Sequence, residues 1–157
     1  MSLPDDDAQA RAHGWRTLAA LHARIEIRVE RALQSRHGLG VSEYAVLDAL
    51  SRQDGWHMRM RQLADAVVLS QSATTRLVAR LEQRGLLSRY ICPTDRRGIY
   101  TEVSESGQRL LDAARPTHDE ALREALEDAR AQPGLAPLVG ALAALPTAPE
   151  RPPLATP

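Results

Sequence analysis

The chain has no Phe and no Lys, a single cysteine and only 3% aromatic residues among its 157. Without Phe, the 43% apolar fraction is mostly Leu, Ala and Val, which suits helices better than sheets. Cys92, being alone, cannot close an intramolecular disulfide. No apolar run approaches the roughly 18 residues of a membrane-spanning helix. The first ten residues, MSLPDDDAQA, are acidic where a secretory signal would be basic and then apolar. A cytoplasmic protein with no membrane partner is expected, of a size that buries roughly two thirds of its unfolded surface in one domain.

Net charge is also absent, but only in the sum. Residues 1–54 carry 7 Arg against 8 acids (−1), residues 55–104 carry 8 against 4 (+4), and residues 105–157 carry 5 against 8 (−3). The positive charge therefore sits on the central third, where a polyanion would be met. That every basic residue is Arg also fits a GC-rich genome, and carries no functional weight.

Leu18, Leu21, Ile25, Val29 and Leu33 recur at spacings of three and four, predicting a helix from Ala10 to Gln34 behind a frayed start over 1–9. His37-Gly38-Leu39-Gly40 ends it. Ser42 then reads as the cap of a second helix reaching about Leu50, and Met58-Arg59-Met60 as a very short strand. A third helix, Arg61 to Val68, is separated from the next only by Leu69 and Ser70, the tight link of a helix-turn-helix. In that fourth helix Ser70 is the cap, Gly85 the stop, and Ala73, Thr74, Leu77, Val78 and Leu81 form a core-facing stripe. Two strands, Leu87 to Cys92 and Ile99 to Val103, flank the turn Pro93 to Gly98 as a wing. Ser104 caps a fifth helix that Pro116 is expected to kink or break. Leu135, Leu138, Leu142 and Leu145 make a last apolar stripe before a Pro-rich tail over 147–157. The class is mainly α: a winged helix-turn-helix of about six helices plus a small antiparallel β wing.

The outward face of the fourth helix has major-groove chemistry. Arg forks onto guanine, Gln pairs with adenine, and Thr offers a methyl to thymine and a hydroxyl to base edges or phosphate. Residues near the start of a recognition helix reach the bases, so Gln71, Ser72, Thr75 and Arg76 are assigned to base readout. Ser70, Thr74, Arg80 and Arg89 are assigned to phosphate. In the wing, Asp95, Arg96 and Arg97 form the contact set. A guanidinium there suits the minor groove of A·T-rich DNA, and Asp95 is read as the group that holds Arg97 in one rotamer. A solvated surface turn is the plainer reading of Asp-Arg-Arg, and its place directly after a recognition-helix pattern is what sets it aside.

The run LADAVVLSQSATTRLVARLEQRGLLSRYICPTDRRGIYTEVSESG resembles the core of the MarR family of bacterial transcription factors, with its RLV-RLE-RGL helix end and Asp-x-Arg wing. The likeness is close over Val41 to Gly107. It implies a homodimer with intertwined terminal helices (10–36 and 116–146), leaving the winged region (41–115) of each copy to grip double-stranded DNA at a pseudo-palindromic operator. It also implies regulation, read here as repression, relieved by a small ligand or an oxidant. By the same resemblance Arg97 is similar to the family's minor-groove arginine and Asp95 to its partner. Ser104, where the family commonly has Thr, and Thr74-Thr75, where Val-Thr is usual, depart without removing a charge.

For the effector, a small apolar or aromatic ligand is the commoner family mode, with Trp15, Arg16, His22 and Trp56 as candidate pocket residues. Core or subunit interface is the plainer reading of Trp15 and His22. Five histidines (His13, His22, His37, His57, His118) raise zinc sensing as an alternative, although no pair has the spacing of a local ligand motif and the metal is left unassigned. The family's redox sensors usually keep their reactive cysteine near the N-terminal helix; Cys92 closes a wing strand. A winged-helix protein-interaction module without DNA binding is the remaining alternative. No nucleophile, base and orienter, and no phosphate loop, points to an enzyme or a cofactor.

Overall fold

Two long helices frame the molecule: α1 (Leu3–His37) and α5 (Glu105–Arg130). Between them in sequence lie α2 (Val41–Ser51), a 3-10 turn (Asp54–Trp56), β1 (His57–Arg59), α3 (Met60–Val67), α4 (Gln71–Gln83), β2 (Leu87–Cys92) and β3 (Asp95–Val103); α6 (Ala136–Ala143) follows α5. The computed structural model describes residues 3–147, so the expected tail lies outside the described residues beyond Thr147. The three strands form one antiparallel sheet in the order β1-β3-β2.

The core is built from the stripes that the spacing marks. Leu33, Leu39, Val46, Leu47, Leu50, Leu63, Val78, Leu81 and Leu111 are wholly enclosed, and join the end of α1, the winged region and the first half of α5 into one cluster. Each such side chain contributes about 1.5–3 kcal/mol by leaving water. A second cluster, Leu21, Ala129, Leu135 and Val139, fastens α6 to the middle of α1 and the end of α5. Ala121, Ala125 and Ala129 are the small buried residues of α5 in this half, and Arg28 of α1 bonds Glu124 at 2.7 Å and also Asp128.

Four local expectations are corrected. α1 starts at Leu3, not Ala10: Pro4 fits the first turn of a helix, and Asp6 and Asp7 lie near its positive end. α2 is capped at Gly40, not Ser42; Glu43 accepts from the Gly40 N–H at 2.9 Å and Glu30 of α1 accepts from the Val41 N–H at 2.7 Å. α5 runs through Pro116 as one helix. The bond that proline cannot donate would go to the carbonyl of Asp112, an exposed residue, and water can replace it. In the last stripe, Leu135 is buried and Leu138 half-buried, while Leu142 and Leu145 are exposed; the buried residue between them is Val139, which lies outside the stripe.

Candidate nucleic-acid interface

α3 is capped by Val68, whose backbone is left-handed (φ 56°, ψ 45°), and the chain turns directly into α4. Ser70 caps α4, its hydroxyl accepting from the Ala73 N–H at 3.2 Å. Thr74, Leu77, Val78 and Leu81 are buried in the core, so Gln71, Ser72, Thr75, Arg76 and Arg80 face outward by helical geometry, and all five are exposed. Among the described residues the side chains of Gln71, Arg76 and Arg80 make no hydrogen bond or ion pair, leaving their donors to a partner. Ser72 lies 3.2 Å from the Ser70 hydroxyl, and Thr75 donates to the Gln71 carbonyl at 2.8 Å, so its methyl and lone pairs are what it presents.

Two assigned phosphate contacts stand differently. Thr74 is fully buried and donates to the Ser70 carbonyl at 2.9 Å, so it is corrected from a phosphate ligand to part of the helix-turn-helix core. Arg89 donates from Nε and Nη2 to one carboxylate oxygen of Glu82, at 2.9 and 2.8 Å, so part of its guanidinium is already engaged.

The wing is longer than the sequence implies, because Asp95 already belongs to β3. Ile91 pairs with Ile99 and Cys92 with Asp95, leaving Arg96, Arg97 and Gly98 bulged with no residue opposite. Arg96 and Arg97 are exposed, and neither side chain has a partner among the described residues. Asp95 does not hold the Arg97 guanidinium. Its carboxylate accepts from the Arg97 backbone N–H at 3.3 Å and pairs with the side chain of Arg59, whose Nε donates to the Tyr100 hydroxyl at 2.8 Å. The reason is reach: Asp95 turns toward β1, and Arg59 stands at the end of that strand. Arg59 is thus a residue that sequence reasoning missed; its one signal was the exposed middle of Met58-Arg59-Met60. At the hairpin end the Cys92 sulfur lies 3.1 Å from the Thr94 hydroxyl, a contact that lowers the thiol pKa.

The four pocket candidates do not converge. Trp15, Arg16 and His22 are exposed along α1, with His22 3.7 Å from Glu26, whereas Trp56 sits in the 3-10 turn before β1. The groove of about 580 Å³ between α1 and α5 is lined by Arg24, Arg28, Arg31 and Arg36 over alanines, and by none of the four. Among the described residues no three His, Cys, Asp or Glu side chains come together as a metal site, and no helix is long and apolar enough to cross a membrane.

This arrangement has clear counterparts. A family model described as "MarR family" matches residues 37–98. AbsC, a MarR family transcriptional regulator from Streptomyces coelicolor, superposes with a TM-score of 0.70 at 32% identity, over 82% of this chain and 86% of that one. The chain belongs to the MarR family. Sco3205, a MarR family regulator from the same organism solved in complex with DNA, gives a TM-score of 0.70 at 29% identity, over 82% and 80% of the two chains. The transcriptional regulator MhqR of Bacillus subtilis is 36% identical over 83 residues, 53% of this chain; the chain spans 56% of that relative's length. All three relatives are named as transcriptional regulators. The match over 37–98 takes in α4, β2 and the start of β3 through Gly98, the stretches that carry the free arginines.

Proposed function

We propose that this MarR-family chain is a sequence-specific, double-stranded DNA-binding transcription regulator, acting in the cytoplasm as a homodimer on a pseudo-palindromic operator. The observation that carries this reading is the pairing of two uncommitted basic elements on one winged unit: Arg76 and Arg80 on the outward face of α4, and Arg96 and Arg97 on the wing bulge. The first fits a major groove, the second an adjacent minor groove. Gln71, Ser72 and Thr75 complete the base-reading set, with Ser70 at the helix start, where backbone N–H groups meet phosphate.

Exposed Trp15, Leu18 and Ile27 of α1, with Leu142 of α6 and Leu145 just beyond it, support pairing through the terminal helices. Repression relieved by a small apolar or aromatic ligand, or by an oxidant, is the regulatory mode proposed with it.

Selection of bound duplexes from a random pool tests the reading. Two half-sites should emerge, spaced by about 10 bp or a multiple. Affinity should fall steeply with salt, by about 0.9 log units per neutralised phosphate for each tenfold rise. No enriched sequence, or a flat salt response, would favour a protein-interaction module instead.

A further inference from the structure

β1 stops at Arg59, and the wing continues past it. Pairing with β3 runs from His57 opposite Glu102 to Arg59 opposite Tyr100, so from Ile99 outward the wing is a two-stranded ribbon with no strand on its β1 side. Such a ribbon is marginal by itself. The Arg59 side chain occupies the vacant flank. Its Nε donates to the Tyr100 hydroxyl at 2.8 Å, its Nη2 donates to the Asp95 carboxylate, and its guanidinium carbon lies 5.5 Å from the Tyr100 ring centre. The same Tyr100 ring stacks on Tyr90 across the hairpin at 5.8 Å and meets His57 at 5.8 Å. Gly98 closes over the cluster: a Cβ there would lie 3.5 Å from Arg59 Nε, Asp95 Oδ2 and Tyr100.

We propose that Arg59 is a positioning residue for DNA reading by the wing: it braces the ribbon from Tyr100 to Asp95, and by occupying the Asp95 carboxylate it leaves Arg96 and Arg97 free for DNA. The inference rests on the DNA-binding reading above. A guanidinium is required because two donors at a fixed angle must reach two acceptors at once, which an ammonium does not do with the same geometry. Released from Arg59, the Asp95 carboxylate has the neighbouring guanidiniums as its nearest basic groups in the chain, and pairing with either would withdraw a reading arginine. Left unpaired, it would repel the DNA backbone.

The test measures affinity for a duplex selected by the wild-type chain, across a salt series, with a thermal melt for each variant. Arg59→Met is expected to weaken binding by about tenfold, the scale of one lost arginine contact, and Arg59→Lys to leave most of that loss in place. Adding Asp95→Asn to Arg59→Met should recover part of the affinity, since the stray carboxylate is then gone. Arg97→Ala should cost less in the Arg59→Met background than in the wild type. Tyr100→Phe, which removes one hydroxyl and keeps the ring, should weaken binding in the same direction and serves if Arg59→Met does not fold.

Full rescue by Arg59→Lys, or no recovery on adding Asp95→Asn, would make Arg59 a plain phosphate contact and overturn the proposal. So would unchanged affinity in both Arg59→Met and Tyr100→Phe. Failure of the wild-type chain to select any duplex would instead overturn the DNA-binding reading itself.

Discussion

Gly107 lies directly beneath the carbonyl of Leu86: a Cβ added to it would fall 2.3 Å from that oxygen and 2.7 Å from Cγ1 of Val103. The first turn of α5 is thereby pressed onto the entry to β2. Ser104 holds the same corner, its N–H donating to the Leu86 carbonyl at 3.0 Å and its hydroxyl to the Gly85 carbonyl at 2.6 Å, while accepting from the Gly107 N–H at 3.1 Å. Because the obstacle is backbone, Gly107→Ala should destabilise the fold by about 1–3 kcal/mol. The expected result is a lower urea midpoint with an unchanged slope; an unchanged midpoint would mean that this corner yields freely.

Val68 offers the opposite outcome. It is β-branched, left-handed in backbone and largely exposed, so the conformation costs about 1–2 kcal/mol with little burial to offset it. Val68→Asn, a residue that tolerates this region, should raise the melting temperature by about 2–4 °C. A lower melting temperature would show that the Val68 side chain makes a contact that outweighs its strain.

Tyr44 contributes to the loss of stability at alkaline pH. Burial, and then the negative charge of Asp48, push its phenol from 10.0 to about 12. Between those values the unfolded chain releases a proton that the folded chain keeps, so stability falls as pH rises through the window and is unaffected below it. The loss is about 2–3 kcal/mol. Tyr44→Phe should flatten that part of a stability-against-pH curve, measured by urea midpoints; an equally steep curve would assign the effect to another group.

Arg76→Ala should weaken operator binding by about 1–3 kcal/mol and relax preference at one base position. Arg97→Ala should reduce the salt slope by about 1 and remove preference for A·T pairs beside the half-sites. Competition binding with point-substituted duplexes separates these two signatures. Identical profiles for the two variants would contradict the assignment of separate grooves.

What the sequence made readable was local. Ser70 as a cap and the stripe through Leu77, Val78 and Leu81 depend on residues within one helix, and β2 was bounded by Gly85 and Pro93 in its own neighbourhood. What it hid depends on groups far along the chain. Asp95 pairs with Arg59 and not with the side chain of nearby Arg97, and α2 starts early because Glu30 of α1 supplies an acceptor. Thr74 was given both a core and a phosphate role by spacing alone; its complete burial decides for the core. Trp15 and Trp56 seemed able to share a pocket only because a linear chain does not show that one lies on α1 and the other beside the sheet.

The unbroken α5 has a mechanical consequence. Its 26 residues make a rod of about 39 Å. One end is packed in the winged core through Leu111 and Ala114, the other against α1 and α6 through Ala129. A push on the distal end is therefore carried to the winged end with no slack loop in the helix to absorb it. Bending would be cheapest at Pro116, where one rung of the hydrogen-bond ladder is already missing. That joint and the unbroken α1, which enters both clusters through Leu21 and Leu33, together gear the two halves of the molecule.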